Sequence, residues 1–422
     1  MLVVSHDFPP VRSPQAIRAA AFVRQLALVA ARVDVVSRSD NQVYDGPPQP
    51  PNVHLHPCSP GWFEATLDRR AALKARQGVA GNAAASLRGP TELNWKGRLV
   101  TFLRRVANVL RFPDGRAAWV APARRELRRI CREHRPDVAL VMHEPAACLL
   151  VARELSRLSV PWLADLADPV LAPYTPRHWR GRALRLEART IARAAAVSVT
   201  NAATAQLLAE RHGIDPAAIP ILPQGFDETR PARSRPASER LELVYTGRFY
   251  PFRDPVPLLE AVAATPGVRL TIAGPELPKA ALAAAERHPE SIVLAGELRH
   301  EAALALQADA DVLVSIGNAN TPQSPGKVQE YFGARHPILH IHGVGPDPAV
   351  ALLASTRRGW SCPAEAGAIA GSLRRLQALK AEGRLAAAFE LDNAVVAAFR
   401  WDRIAEQLVA VLARLVPARR PA

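Results

Sequence analysis

Short runs of β-branched and aliphatic residues recur along the chain, separated by longer Ala-, Leu- and Arg-rich stretches whose apolar positions return every three or four residues. Runs of the first kind suit strands buried on both faces, and stretches of the second kind suit helices that cover them. This alternation predicts an α/β fold with parallel sheets. It falls into two series. The first has candidate strands at Leu2–Ser5, Val33–Ser37, Val138–Met142, Trp162–Asp165, Ala196–Thr200 and Ile219–Leu222, with helices such as Ala16–Ala31 and Ala121–Glu133. The second has strands at Leu241–Thr246, Arg269–Ala273, Ile292–Leu294, Val312–Ser315 and Ile338–Ile341, with helices at Pro257–Ala264, Glu301–Gln307, Pro325–Phe332 and Ala366–Leu379.

Between the two series lies a polar, Pro-rich segment, Asp227–Arg240, with the composition of a linker. The expected division is therefore a Rossmann-like domain over 1–228, a linker over 229–240 and a second Rossmann-like domain over 241–395. A final segment, 396–422, carries a helix near Arg403–Leu415 that is expected to cross back onto the first domain. Two such domains facing one another hold ligands in the cleft at the carboxyl ends of their strands, so residues just after strands are the first candidates for chemistry.

Two regions break the pattern. Gln42–Gly97 is rich in Pro, Gly, Ala and Asn and reads as an insertion or long loop. Beyond it, Leu99, Phe102, Leu103, Val106, Val109 and Leu110 recur at helical spacing among arginines, and Arg98–Arg135 holds eleven arginines against Asp114, Glu126 and Glu133. A helix of this kind either lies in an anionic membrane surface or turns its apolar face to the core and its basic edge to solvent.

Composition narrows the classes. A chain of 422 residues with 49% hydrophobic residues builds large cores, and a net charge of +15 favours anionic ligands. Nucleic acid is the weakest of these, because aromatics are 5% and no nucleic-acid motif is present. The four cysteines, Cys58, Cys131, Cys148 and Cys362, show neither metal-ligand spacing nor a disulfide framework. With no signal peptide and no spanning apolar stretch, a cytoplasmic protein is expected. Met1 opens directly on a strand, which also suits a slightly misplaced start.

Two words concentrate the candidate chemistry. In SPGKVQEYFGARHPIL, Ser324–Leu339, Ser324 is placed to cap a helix, Pro325 suits its first turn, and Gly326 leaves backbone N–H groups open to a phosphate. Lys327 and Glu330 share a helical face, so one could neutralise a diphosphate while the other accepts from vicinal hydroxyls; the alternative is an exposed ion pair of little consequence. In VYTGRFYPFRDP, Val244–Pro255, a strand runs into Gly247 and presents Arg248 and Arg253, residues suited to holding phosphate. In the first domain His6 and Asp7, His143 and Glu144, and Asp165 and Asp168 follow or flank strands.

These words, in this order, resemble the retaining glycosyltransferases of the GT-B fold, in particular family 4 (glycosyl transferases group 1). The resemblance runs through VVSHDFPP at Val3–Pro10, FPDGRAAWVAPA at Phe112–Ala123, RPDVALV at Arg135–Val141 and VPWLADLADPV at Val160–Val170. It continues through LEARTIARAAAVSVTNAA at Leu186–Ala203, ILPQGFD at Ile221–Asp227, the TGR word, HEAALALQADADVLVSI at His300–Ile316 and the SPGKVQEY word.

The resemblance implies that Arg248 and Arg253 bind the donor pyrophosphate, that Lys327 lies in the donor-phosphate segment with Ser324 and Gly326, and that Glu330 holds the donor ribose. Gly247, Arg248, Arg253, Ser324, Gly326, Lys327 and Glu330 are then the donor-binding set. Arg248, Lys327, Asp168 and His143 would carry catalysis, and His6, Asp7, Glu144 and Asp165 would face the acceptor. Many family members have a second glutamate eight positions before Glu330, where this chain has Pro322, and many have lysine in place of Arg253. The expected activity is metal-independent hexosyl transfer, with retention, from a UDP- or GDP-sugar to a glycan or lipid-linked acceptor. No cofactor is expected, and neither is nucleic-acid binding. The setting implied is bacterial cell-surface polysaccharide or glycolipid synthesis at the inner face of the plasma membrane. Competing readings are a nucleotide-sugar epimerase or phosphorylase of the same architecture, the latter needing pyridoxal phosphate on Lys279, Lys327 or Lys380, and a binding protein that retained the fold without turnover.

Overall fold

A computed structural model describes residues 1–11, 13–39, 49–59, 112–114, 116–228, 231–234, 236, 238–250, 253–318 and 326–416 of the chain. They form two compact units, the first built from the described residues up to 223 together with those from Trp401 onward, the second from Gln224–Arg400.

The first unit holds β1 (Leu2–Val4), α1 (Pro14–Val29), β2 (Val33–Arg38), β3 (Val53–Cys58), α2 (Val120–Glu133), β4 (Ala139–His143), α3 (Ala147–Arg157), β5 (Trp162–Leu166), α4 (Arg180–Arg193), β6 (Ala196–Val199) and α5 (Ala202–His212). Its six parallel strands are ordered β3-β2-β1-β4-β5-β6. Burial on both faces explains the unbroken apolar runs: Val3, Leu140 and Leu163 pack with α1, while Val4, Val141 and Ala164 pack with α2 and α3. Residues Val33–Ser37 were legible as a strand. Its neighbour β3 was not, because Val53–Cys58 lies inside the Pro- and Gly-rich stretch read as a loop; its alternation HLHP marks an edge strand with one face exposed. Conversely, Ile219–Leu222 forms only a single bridge, Val199 to Ile221, in place of the expected strand. The two prolines flanking Ile221–Leu222, Pro220 and Pro223, remove ladder donors there.

The second unit repeats the winding with β7 (Leu241–Thr246), α6 (Val256–Ala263), β8 (Val268–Ala273), α7 (Lys279–Arg287), β9 (Ile292–Gly296), α8 (His300–Ala308), β10 (Val312–Ile316), α9 (Lys327–Phe332), β11 (Ile338–His342), α10 (Pro348–Thr356), β12 (Gly359–Pro363) and α11 (Ala366–Ala381). The order is β12-β11-β10-β7-β8-β9, again all parallel. β12 was missed because GWSCP lacks an apolar run; its pairing with β11 supplies what its side chains do not.

The chain closes with α12 (Trp401–Leu415), whose Trp401, Ile404, Ala405, Leu408 and Leu412 are buried in the core layer of α1. Trp401 meets the Phe22 ring edge-on at 5.9 Å between centroids. The amphipathic spacing alone predicts this helix, and the pairing with α1 gives its apolar stripe a partner. Of the basic stretch, Arg98–Arg111 lies outside the described residues. Its continuation α2 is a core helix, burying Val120, Ala123, Leu127 and Ile130 and carrying Arg125 and Arg129 on its outer face. No described helix is long and apolar enough to cross a membrane.

Candidate functional site

In the second unit the carboxyl ends of β10, β7 and β8, three neighbouring strands, bring together the described residues of the two words, those at 244–250, 253–255 and 326–339. β7 ends at Thr246, and Gly247 follows with φ +151°, a conformation that L side chains rarely adopt. Lys327 lies over this glycine: a Cβ at 247 would stand 3.7 Å from Lys327 Cε. Gly274, at the end of β8, is packed tightly, because a Cβ there would lie 2.0 Å from the Gly247 carbonyl oxygen. Two glycines on adjacent strand ends therefore allow one backbone to rest on the other. Gly274 belongs to the site's construction, and its only sequence signal is a glycine at a strand end.

Lys327 is the first residue of α9 and donates to both carboxylate oxygens of Glu330, at 2.9 and 2.8 Å. This is the ion pair foreseen as an alternative to ligand contacts, yet it is not a surface pair. Glu330 Oε1 also accepts from Gln307 Nε2 at 2.9 Å, and that amide donates to Thr246 Oγ1 at 2.9 Å. Tyr331 completes the network, its hydroxyl 3.0 Å from the Thr246 N–H and 3.2 Å from the Thr246 carbonyl. Burial raises the Glu330 carboxyl, but the Lys327 charge and the hydrogen bonds from Lys327 and Gln307 outweigh it and hold the group at about 2. Burial pushes the Tyr331 phenol upward, so it stays a neutral donor and acceptor. Gln307, fully buried on α8, was not among the sequence candidates; a glutamine in a helical run carries no mark distinguishing it from a surface residue.

The described helix runs from Lys327, with Gly326 as its cap and no side-chain capping bond; its expected start at Pro325 lies outside the described residues. A Cβ on Gly326 would stand 3.2 Å from Gln224 Cγ. Ser324, Pro325 and Pro322 lie outside the described residues.

Arg248 and Arg253 differ in how they are held. Arg248 is exposed and, among the described residues, its side chain pairs with Glu276 Oε2 at 3.5 Å, a surface pair that contributes little. Arg253 donates from Nε to Asn318 Oδ1 at 2.8 Å and from an Nη to the Arg248 carbonyl at 3.3 Å, and its guanidinium lies 5.1 Å from the Tyr250 ring centroid. Asn318 follows β10 and Gly317. Behind them Ser315 Oγ, His340 and Asp347 line up, with His340 Nδ1 at 3.2 Å from Ser315 Oγ and His340 Nε2 at 2.9 Å from Asp347 Oδ2. A side chain at Gly317 would meet Asp347 Oδ2 at 2.4 Å. Burial raises the Asp347 carboxyl, and His340 together with the Ala349 N–H brings it below its usual range.

In the first unit the carboxyl ends of β1, β4 and β5 form a second cluster. His6 is fully buried, with Nδ1 2.7 Å from Asp7 Oδ1 and its ring edge-on to Trp119 at 5.1 Å. Burial would raise the Asp7 carboxyl, but His6 and the Arg116 charge bring it down to about 2. Burial lowers the pKa of His6 despite Asp7, and burial also lowers that of His143, whose ring is hydrogen-bonded to the backbone at Asp168. His6 Nε2 and His143 Nδ1 are buried and make no hydrogen bond in the described structure. Glu144 Oε1 accepts from the Tyr174 hydroxyl at 3.1 Å.

Asp165, grouped in the sequence with the acceptor residues, is placed differently. It is fully buried and forked to Arg18, with Arg18 Nε 2.8 Å from Oδ2 and an Nη 3.0 Å from Oδ1, while Ser198 donates to Oδ1 at 2.9 Å. Arg18 spends its other donors on the carbonyls of Leu222 and Pro223. This carboxylate holds the chain as it leaves the first unit, and its oxygens are engaged by protein donors. Among the described residues, no three His, Cys, Asp or Glu side chains gather as metal ligands.

The profile of Glycosyltransferase Family 4 matches residues 83–230. No curated protein matches the chain by sequence. Solved structures do. The glycosyltransferase from Rickettsia africae ESF-5 has a TM-score of 0.61 at 13% identity, covering 98% of this chain and 97% of its own. A structure described as trehalose-6-phosphate from E. coli bound with UDP-2-fluoro glucose has a TM-score of 0.63 at 12% identity, with 99% of each chain covered. WaaG, a glycosyltransferase involved in lipopolysaccharide biosynthesis, has a TM-score of 0.58 at 14% identity, covering 97% of this chain and 99% of its own. The two six-stranded sheets and these likenesses establish the GT-B fold, and the resemblance to family 4 glycosyltransferases seen in the sequence is borne out.

Proposed function

We propose that this chain transfers a hexosyl group from a UDP- or GDP-sugar to a glycan or lipid-linked acceptor, with retention, in the synthesis of a cell-surface polysaccharide or glycolipid. The observation that carries the reading is the network Lys327–Glu330–Gln307–Thr246 seated against Gly247, with Arg248 and Arg253 on the same strand-end loop. It puts three cations around a backbone position without a Cβ, and it keeps one carboxylate ionised where ribose hydroxyls would need an acceptor.

Breaking the anomeric bond leaves negative charge on the departing diphosphate. Preorganised cations stabilise that charge without reorganising during the reaction, and this is the main service such a site performs. Arg248, whose partner among the described residues is an exposed glutamate, and Lys327 meet the phosphates; Arg253, braced by Asn318, supplies a fork of fixed orientation. These cations do the work without a metal. Glu330 accepts from the ribose. Attack from the face of departure, with a diphosphate oxygen taking the acceptor proton, accounts for retention without a protein nucleophile. On the acceptor side, the unpartnered nitrogens of His6 and His143 are neutral at pH 7 and suited to sugar hydroxyls, with Asp7, Glu144 and Asp168 beside them. The reading places the protein in the cytoplasm, at the inner membrane face for a lipid-linked acceptor.

The test is a calorimetric screen of the protein against UDP, GDP, ADP and several nucleotide sugars, with Arg248→Ala alongside. Selective binding that the variant loses supports the donor site and names the base. A folded protein silent to every nucleotide overturns it, and binding without transfer to any acceptor points to a protein that kept the fold without turnover.

A further inference from the structure

A second concentration of positive charge lies at the other end of the first sheet. α3 leaves the carboxyl end of β4 and runs back to Arg157, and the chain re-enters the sheet at Trp162, the first residue of β5. α4 runs back in the same sense to Arg193, and the chain re-enters at Ala196. The last turns of both helices therefore stand beside the amino ends of the strands. His6, His143 and Asp168 stand at the carboxyl ends, about 13 Å away along the five residues of β5 at ~3.3 Å per step.

A shallow recess opens there, with an interior of about 10 Å³, lined by Arg153 and Ser156 of α3, Trp162 of β5, and Thr190 of α4, and with the exposed Arg189 and Arg193 of α4 at its mouth. The nearby carboxylate, Glu154, is taken by Arg128 at 2.9 and 3.0 Å and by Arg157 at 3.4 Å. Arg153, Arg189 and Arg193 form no ion pair with any described residue. Around Arg153 the electrostatic neighbours are Arg124, Arg157, Arg189 and Arg193; burial, and then these like charges, lower its pKa. Trp162 Nε1 donates to Ser156 Oγ at 3.2 Å, which leaves the serine hydroxyl proton for another acceptor. Convergent guanidinium groups repel one another until an anion joins them, and their planar forks match phosphate oxygens.

We propose that this pocket binds a phosphate-bearing ligand, at a site separate from the donor and acceptor clusters. The guanidinium groups take the phosphate at the mouth of the recess, and the group attached to it stays on the solvent side. Its carrier is a soluble organic phosphate or a lipid headgroup, and the chemistry at the pocket is the same for both.

The experiment uses the full chain, Arg153→Met/Arg193→Met and Arg248→Ala at one fixed ionic strength. Each is titrated calorimetrically with inorganic pyrophosphate and glycerol 3-phosphate, and sedimented with phosphatidylglycerol/phosphatidylcholine vesicles with and without pyrophosphate. Methionine keeps the aliphatic packing, and UDP binding by the double variant reports that it is folded. The expected result is a pyrophosphate-binding component that survives Arg248→Ala and weakens about tenfold or more in the double methionine variant. Glycerol 3-phosphate binding lost in the double variant assigns a soluble carrier. Vesicle binding competed by pyrophosphate and lost in the double variant assigns a headgroup. Identical isotherms and identical sedimentation for parent and double variant overturn the proposal. Because the donor site is read separately with UDP, its failure and the failure of this pocket are distinguishable.

Discussion

The ammonium group of Lys327 sits between the two carboxylate oxygens of Glu330, three residues on, and Gln307 supports the carboxylate from behind. The two charges of the pair neutralise each other. A diphosphate arriving over Gly247 would share Lys327 with Glu330, whose own position stays anchored by Gln307. We therefore expect Glu330→Ala to weaken nucleotide binding by about 1–3 kcal/mol, through lost hydroxyl contacts and a loosened Lys327. Calorimetry with UDP and GDP checks this, and unchanged affinity would remove Glu330 from the donor site.

Acid should expose the same pair. The Glu330 carboxyl ionises at about 2 in the folded chain, below the 4.5 ordinary for glutamate. A depressed folded value stabilises the protein above the unfolded value, and that stability is lost as pH falls from about 4.5 toward 2. The contribution is on the order of 3 kcal/mol. Urea midpoints across this window should fall less steeply in Glu330→Gln than in the parent, and parallel slopes would contradict the assignment.

His6 and His143 should act on stability at milder pH. Both are buried with folded values below 6.5, so the unfolded chain takes up protons first as pH falls below 6.5 and folding is weakened there. His143→Gln, compared with the parent by thermal unfolding between pH 5 and 8, should flatten part of that decline.

Gly274→Ala tests the strand-end construction. Its Cβ would collide with the Gly247 carbonyl, a backbone atom with no rotamer by which to escape. A loss of about 1–3 kcal/mol is expected, together with weaker nucleotide binding, because the displaced residue precedes Arg248. An Ala variant with parent-like stability and UDP affinity would show that the two strand ends are free to separate.

Asn318 and Arg253 offer a sharper test of positioning. Asn318→Leu removes the acceptor that orients the guanidinium, so UDP affinity should drop several-fold in the parent and very little in an Arg253→Met background. Equal losses in both backgrounds would assign Asn318 a role independent of Arg253.

The alternation of apolar runs and amphipathic stretches was enough to announce two parallel α/β units, because strands covered on both faces must be apolar along their length. Val312–Ile316 and Leu241–Thr246 are examples. The same logic hid β3 and β12, edge strands held chiefly by backbone pairing. At the candidate site, Gly247, Arg248, Lys327 and Glu330 were legible as short words, since their spacing on one strand end and one helix turn is a local property. Their joint arrangement was not. Gln307 meets Glu330 from another helix, Gly274 meets Gly247 from another strand, and Arg18 claims Asp165 across 147 positions of sequence. Such contacts come from how the sheets are wound, a non-local outcome that periodicity does not encode. For the same reason Arg153, Arg189 and Arg193 read along the chain as scattered basic residues, and come together only where α3 and α4 return to the amino ends of the strands.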